Sequence, residues 1–542
     1  MIDPVSISGL TIAVVDALIR YGERTAELIS EVRTFNEDSS KLHQLVVDEN
    51  VQSRLLRTLL FSECSVYGGK TLFEHFDPDV QSQIELLFAE VESILREAVN
   101  LLERRYGVSG SHSQRVTGSS LTTLLSARPN VAGGRTSPSL PVLLRWSLRD
   151  KRRVETILLS FKDRNSRLKR KVELWCLTSQ LGISPDHLKH LQTDEASKQL
   201  GFDKDATLRL AQQNLDSGQA LSLELSPSWD PHLKEIVSDN HQGLFTVLVK
   251  DTQAYIQENH RYNTPLRPTD TSGGDLDPRT KNRIESLARL LQQPKEQIFR
   301  ILPCVGWRKV PNHDFIAFVF ELQSPLGAPV SLQRILFESK LVPSLGDKFR
   351  LALRLAQCMA QIHMVQWVHE SFRSDNILLL PHHVPDDPDS RLDINYSEPW
   401  VLGFEFSRPE LFFSSGHSDF EPTRDIYRHP DRQGQPTETF KKIHDIYSLG
   451  VVLLEIGLWE PAIKLEKNLF AHATNSAAVR AQLLKHAQRR LESRVGKRYK
   501  EVVLKCLSGD FGVEDDTRED MKLQQAFRYH VLDVIEVAAN SV

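Results

Sequence analysis

Ile362-His363-Met-Val-Gln-Trp-Val368-His369-Glu370-Ser371-Phe-Arg-Ser-Asp375-Asn376-Ile-Leu-Leu-Leu380 is the stretch on which the reading of this chain turns. Two apolar ends enclose a polar turn that carries His369 and, seven residues on, Asn376. Three further stretches follow in order: Pro399-Trp-Val-Leu-Gly403-Phe404-Glu405-Phe-Ser-Arg408, Tyr427-Arg-His-Pro430, and His444-Asp445-Ile-Tyr-Ser-Leu-Gly450-Val-Val-Leu-Leu-Glu455. Tyr499 to Leu507 then reads as a late helix. Ahead of the stretch lie β-type runs at Leu244–Lys250, Ile298–Leu302 and Phe315–Leu322, rich in β-branched and aromatic residues. Between the first two come a Pro/Gly/Thr-rich insertion, Tyr262 to Thr280, and a helix, Lys281 to Leu291. Strands first and helices afterwards predict an α+β unit with a small sheet lobe and a larger helical lobe.

The order of these elements resembles the protein-kinase family. His369 takes the first position of the catalytic-loop pattern H-R-D-L-K-x-x-N and Asn376 that of its metal-binding asparagine. Gly403-Phe404 stands at the D-F-G turn, Tyr427–Pro430 near the A-P-E element, and Asp445–Val451 in the D-x-W-S-L-G-V helix. The resemblance implies a bilobal protein-kinase-like fold over residues 239–542. It also aligns Val247-Leu-Val-Lys250 with V-A-I-K and Glu285 with the helix glutamate that pairs with that lysine. A surface lysine closing a strand is the competing reading of Lys250, whose register is open by a residue or two.

Departures from the pattern set the expected function. Phosphoryl transfer needs an aspartate at the substrate hydroxyl, another on magnesium, and a backbone loop over the phosphates. Ser371 and Gly403 occupy the two aspartate positions, and Gly243 stands alone where a G-x-G-x-x-G loop belongs. Loss of a positioned general base alone costs roughly 10²–10⁴ in rate. The degenerate catalytic positions are therefore His369, Ser371, Asn376 and Gly403, and the reading is a pseudokinase. An active or weakly active ATP-dependent Ser/Thr kinase stays open as the alternative. Lys250, Glu285, Asn376 and Glu405 are the residues expected to contact a nucleotide if one binds; no cofactor is required and residual ATP binding is left open. His363 and His369 read as satisfied core histidines. His382-His383 with Asp386, Asp387 and Asp389 reads as an exposed hairpin insertion rather than a metal site.

The first hundred residues are helical in pattern. Ile7, Leu10, Val14 and Leu18 recur at three and four, widened by Thr11, Val15 and Ile19, and Val80 to Leu102 keeps one apolar face through more than five turns. Residues 107–141, rich in Ser, Thr and Gly, read as a flexible linker. Helical pattern returns from Val142; up to Glu173 it holds 11 Lys/Arg against 4 Asp/Glu, a face able to meet anionic headgroups or simply solvent. Pro4–Leu10 with its following helix, and Leu144–Asn165, resemble the fungal HeLo, or prion-inhibition and propagation, domain. That resemblance implies an all-α bundle over residues 1–182, joined through a helical brace at 183–238 to the kinase-like domain. It further implies a cell-death role of the kind seen in heterokaryon incompatibility, in which the kinase-like part restrains the bundle and the Ile7–Ile19 stripe enters membrane. Core packing is the competing use of the stripe, and a signalling scaffold without membrane action is a further alternative.

Composition bounds the rest. The 542 residues carry 67 Lys+Arg against 71 Asp+Glu, 40% hydrophobic and 25% charged residues, which argues against wholesale disorder and a multi-span membrane protein. The net charge of −4 predicts no overall pull on nucleic acid. Five dispersed cysteines in apolar contexts fit a cytosolic core without disulfides or zinc. Asp3 and Asp16 argue against a signal peptide. The expected protein is cytoplasmic, with protein partners, anionic membrane contact through the bundle, and homo-oligomerisation as an open option.

Overall fold

The computed structural model describes residues 4–32, 37–106, 151–213, 222–226, 229, 233–238, 245–251, 253–261, 278–310, 315–322, 329–338, 342–381, 393–404, 408–409, 422–433, 438–465 and 476–542. The linker at 107–141, the start of the basic stretch at 142–150, the histidine pair 382–383 and Glu405 lie outside them. The chain divides into two compact units. One takes Met1–Cys176 and Thr193–Phe202, the other Leu177–Gln192 and Asp203–Val542.

The first unit is built on four long helices, α1 (Pro4–Val32), α2 (Glu37–Phe61), α3 (Pro78–Tyr106) and α4 (Lys151–Thr178). A two-stranded hairpin, β1 (Glu63–Cys64) with β2 (Lys70–Thr71), follows α2. The periodicity of α3 is realised as read: Val80, Ile84, Phe88, Val91, Leu95, Ala98 and Leu102 are buried. In α1 the inward face is rotated from the expected centre. Thr11, Val15, Leu18, Thr25, Leu28 and Ile29 are buried, while Leu10 is 71% exposed. Polar anchoring sets that rotation: Thr11 Oγ1 donates to Glu85 of α3 at 2.7 Å, and Asn50 of α2 donates to the Ile19 carbonyl at 3.2 Å. A Cβ at Gly22 would lie 2.5 Å from Asn50 Oδ1, so the α1–α2 approach requires glycine there.

Helix α4 turns Val154, Leu158, Phe161, Leu168 and Val172 into the core. Its basic residues meet α3 carboxylates, Arg153 with Glu97 and Arg164 with Glu90, each at 3.6 Å. These exposed pairs contribute little to stability. Asn165 carries more weight because it is fully buried: Nδ2 donates at 2.9 Å to both the carbonyl and the carboxylate of Glu49, and Oδ1 accepts from Ser53 at 3.1 Å. α5 (Pro185–Thr193) groups mainly with the second unit, whereas α6 (Glu195–Leu200) packs on α2. No helix among the described residues is long and apolar enough to cross a membrane.

The second unit is mixed α and β. Its five-stranded antiparallel sheet contains β3 (Leu233–Ser238), β4 (Phe245–Lys250), β5 (Gln253–Arg261), β6 (Cys304–Lys309) and β7 (Phe315–Leu322), in the order β3-β4-β5-β7-β6. One sequence expectation is corrected here, and one strand has no counterpart in the sequence reading. Ile298–Leu302 is not a strand: Gln297–Phe299 is a 3₁₀ turn ending at left-handed Arg300, and the strand begins at Cys304. The central strand β5 was not anticipated, because Gln257, Glu258 and His260 are polar yet buried. α7 (Phe202–Gln213) packs into this unit from Asp203 onward: Asp205 accepts from Gln361, and Gln212 Nε2 donates to the Gln366 carbonyl at 2.7 Å. α8 (Pro278–Gln292) lies against β6 through Ile284, Ala288 and Leu291.

Helices then dominate: α9 (Leu332–Glu338), α10 (Leu345–Met364), α11 (Lys442–Leu458), α12 (Ser476–Val495), α13 (Lys497–Ser508), α14 (Met521–Phe527) and α15 (Asp533–Asn540). Short strands β8 (Val330–Ser331), β10 (Ile377–Leu379) and β11 (Trp400–Val401) form one ladder, and β9 (Trp367–Val368) pairs with β12 (Arg408–Pro409). α11 is buried on almost every side, the property of a helix enclosed by others, and its polar residues Lys442, His444, Asp445, Ser448 and Glu455 are buried with it. At Gly450 a Cβ would lie 2.8 Å from the Cβ of Cys506, so α13 crosses in close contact. Four of the five cysteines are buried and all are free; burial pushes the Cys304 and Cys506 thiols up to about 12, which leaves them unreactive.

Candidate functional site

The polar turn 369–376 and the turn 402–404 meet under the sheet. Asp445, on the first turn of α11, organises the former. It is fully buried, and its carboxylate accepts from His369 N at 2.8 Å and Glu370 N at 3.0 Å, with His363 Nε2 at 3.2 Å. A buried carboxylate needs such donors to offset its lost hydration. They hold Glu370 in a left-handed conformation, φ 63°. Asp445 was quoted in the sequence only as part of a helix. The signal that could have singled it out is an acid inside an otherwise apolar run.

His369, Ser371, Asn376 and Gly403 are brought together. His369 is enclosed between Phe372 and Phe404, ring centroids 5.5 and 5.0 Å away, and burial pushes its pKa down to about 4. Its Nδ1 accepts from the Ser371 backbone N–H at 3.3 Å, so the imidazole is neutral and engaged with the backbone rather than with the Ser371 hydroxyl. That arrangement provides no base for a serine nucleophile. Asn376 Nδ2 donates to the Ser371 carbonyl at 2.7 Å and reaches its Oγ at 3.2 Å.

Gly403 is tightly confined. Its φ is +93°, and a Cβ there would lie 2.0 Å from Asn376 Nδ2, so no larger residue fits without displacing the asparagine. Above it the carboxylate of Glu258, from the middle of β5, accepts from Gly403 N and Phe404 N, each at 3.0 Å. His260 Nε2 lies 3.0 Å from the same oxygen. Glu258 is 2% exposed. The space beneath the sheet thus holds a buried carboxyl group that is committed to the backbone of the 402–404 turn.

Lys250 and Glu285 are not brought together. Lys250 ends β4 with its ammonium 5.5 Å from the Trp229 ring centroid. Glu285, buried on α8, accepts instead from Ser222 Oγ and, at 3.0 Å, from Leu223 N. This grips a strap, residues 222–226, that runs parallel beside β6: Leu225 N donates to the Trp307 carbonyl at 2.8 Å and Trp307 N to the Leu223 carbonyl at 3.1 Å. A Cβ at Gly306 would lie 2.5 Å from the Leu223 oxygen, so glycine is what lets the strap approach.

A second polar chain lies behind the turn. Ser374 Oγ and Tyr427 Oη are 2.8 Å apart, and Tyr427 donates to Glu455 Oε1 at 2.7 Å. Burial raises Glu455 to about 7. His429, Asp431 and His444 place potential ligand atoms within 4.8 Å of one another. His444 Nδ1, however, accepts from Lys441 N at 3.1 Å, which engages one of the lone pairs a metal would need.

Residues 282–536 match a family described as a domain of unknown function, DUF7580. The match starts within α8 and ends within α15, leaving β3, β4 and β5 before it. No curated protein matches the chain.

Proposed function

We propose that the second unit is a kinase-like regulatory domain without phosphotransferase activity, attached to a HeLo-like helical bundle in a cell-death or related signalling protein. The observation that carries the enzymatic half is the Gly403–Asn376–Glu258 arrangement. At the position where a kinase holds magnesium there is a glycine with no room for a carboxylate, and Asn376 is spent on Ser371. Glu258 sets a carboxylate, capped by two backbone N–H groups, against that turn. Magnesium–ATP would have to displace these bonds, leaving buried polar groups without partners.

The test is a thermal melt of the full chain with millimolar ATP and magnesium, with radiolabelled γ-phosphate transfer alongside. Neither stabilisation nor labelling is expected. A ligand held at a hundred times its Kd would add about 2.7 kcal/mol, readily visible as a raised Tm. Such a rise, with labelling abolished by Asn376→Ala, would establish the active-kinase alternative instead.

Exposure of Leu10 on α1 supports the membrane half of the reading, since this apolar side chain is not consumed by the core. Leakage from anionic vesicles should fall in Leu10→Asp without loss of fold. Unchanged leakage, or none in either protein, would favour the non-membrane scaffold.

A further inference from the structure

β6 closes one side of the five-stranded sheet, and an edge strand is a template for pairing with another extended segment. The chain covers this edge with its own residues 222–226, which belong to the same unit. The Trp307 N–H and carbonyl pair with Leu223 and Leu225 in parallel register, and Glu285 accepts from Leu223 N and the Ser222 hydroxyl. The two sides of this contact are unequal. On the receiving side Trp307 is fully buried and Glu285 is 5% exposed. On the strap Ser222, Glu224 and Ser226 are exposed, and Leu223 and Leu225 are only half-buried. A segment with little buried area, its backbone bonds close to solvent, is among the first parts of a fold to open. When it opens, Glu285 still needs N–H and O–H donors, because a buried carboxylate without them is costly. Trp307 is left with a backbone donor and acceptor to satisfy.

We propose that the edge of β6, with Glu285 and Lys281 of α8, is a binding site for an extended partner segment of the type hydroxyl–apolar–acid–apolar, which the chain's own Ser222-Leu-Glu-Leu225 fills in cis until the partner displaces it. Each position of that type answers to a group on the receiving side. The hydroxyl and the N–H that follows it satisfy the two oxygens of Glu285. The acid meets Lys281, whose Nζ lies 2.8 Å from Glu224 Oε2 and 5.7 Å from the centroid of the Trp307 ring. Leu223 packs against the core of the unit, and Leu225 lies over Gly306, where a Cβ would come within 2.9 Å of its Cδ2. Strand addition of this kind draws affinity from main-chain bonds and selectivity from the alternating side chains. The Lys281–Glu224 pair is partly exposed and therefore adds selectivity more than energy. Binding at this edge engages no residue of the 402–404 turn, so it is independent of whether nucleotide binds there.

The test is fluorescence anisotropy of a fluorescein-labelled peptide, Ala-Leu-Ser-Leu-Glu-Leu-Ser, the sequence of residues 220–226, titrated with the full chain. In the wild type the strap competes, and binding should be weak. Leu225→Pro withdraws the N–H that the strap gives to Trp307. It should bind the peptide roughly tenfold or more tightly, since apparent affinity is reduced by the fraction of sites already filled. Leu223→Ala, which trims only the apolar contact of the strap, should fall between the two. Peptide N-methylated at the residue corresponding to Leu225 should bind none of these proteins, and Glu285→Ala added to Leu225→Pro should abolish binding of the unmodified peptide. If Leu225→Pro does not fold, Leu223→Ala and the N-methylated peptide decide the matter by themselves. Equally weak binding by wild type and the strap variants, or N-methylated peptide bound as tightly as its parent, would overturn the proposal. So would a wild-type dimer in light scattering that Leu225→Pro converts to monomer, because the segment would then be exchanged between copies rather than displaced by a partner.

Discussion

Gly403 and His444 are single residues whose neighbours decide what substitution does. Restoring an aspartate by Gly403→Asp should not restore a magnesium site. The new Cβ would fall on Asn376 Nδ2 and the backbone is left-handed, so overpacking and strain together should cost about 2–4 kcal/mol. The measurement is the melt of the full chain with and without magnesium–ATP; an undiminished Tm with a nucleotide response would refute it. At His444, burial and then the neighbouring His429 push the pKa down to about 3. Folded imidazole therefore stays neutral where the unfolded chain, near 6.5, takes up a proton. This contribution to stability is complete above pH 6.5 and is lost as pH falls. His444→Gln retains an acceptor for Lys441 N and removes the titration. Between pH 6 and pH 5 the wild type should lose up to about 1 kcal/mol more than the variant, read from denaturant midpoints at each pH; parallel losses would contradict the assignment.

At the scale of elements, the strap on β6 and the turn around Asp445 show how polar groups fix packing. Glu285 on α8 holds Ser222 and Leu223 through its carboxylate. Glu285→Ala should leave two donors without their acceptor, at about 1–3 kcal/mol. Amide exchange at Leu225 and Trp307, which bond across the strap, should accelerate, while β5–β7 amides stay protected. Uniform acceleration would mean that the sheet, not the strap, depends on Glu285. The same elements mark what could be read from sequence. α3 was legible because its apolar period is dictated by burial on one face, and α11 through the resemblance of Asp445–Val451 to a family helix. β5 was not, because Glu258 and His260 are buried for their bonds rather than for their hydrophobicity. Lys250 was placed on the basis of an apolar run ending in lysine; the strand that faces the 402–404 turn is its neighbour.

For the whole molecule, the division into units assigns residues 193–202 to the N-terminal unit. Ala196, Leu200 and Phe202 are buried, and α6 packs on α2. A fragment ending at residue 182 should therefore melt below one ending at residue 202, by several degrees if one or two large apolar side chains lose their burial. Equal melting temperatures would remove α6 from that unit's stability. Sequence alone determined a helical N-terminal region, a mixed α and β C-terminal region, the cysteines' apolar settings and the absence of a carboxylate at Ser371 and Gly403, since these follow from periodicity and from residue identity. Tertiary structure alone decided that Glu258 caps the Gly403 turn, that Asp445 holds the His369 turn, and that Glu285 grips a strap instead of Lys250. Each of these is a meeting of polar groups far apart in the chain, and buried polar groups leave no periodic trace: which donor meets which acceptor is settled only when the backbone has brought them within hydrogen-bond reach.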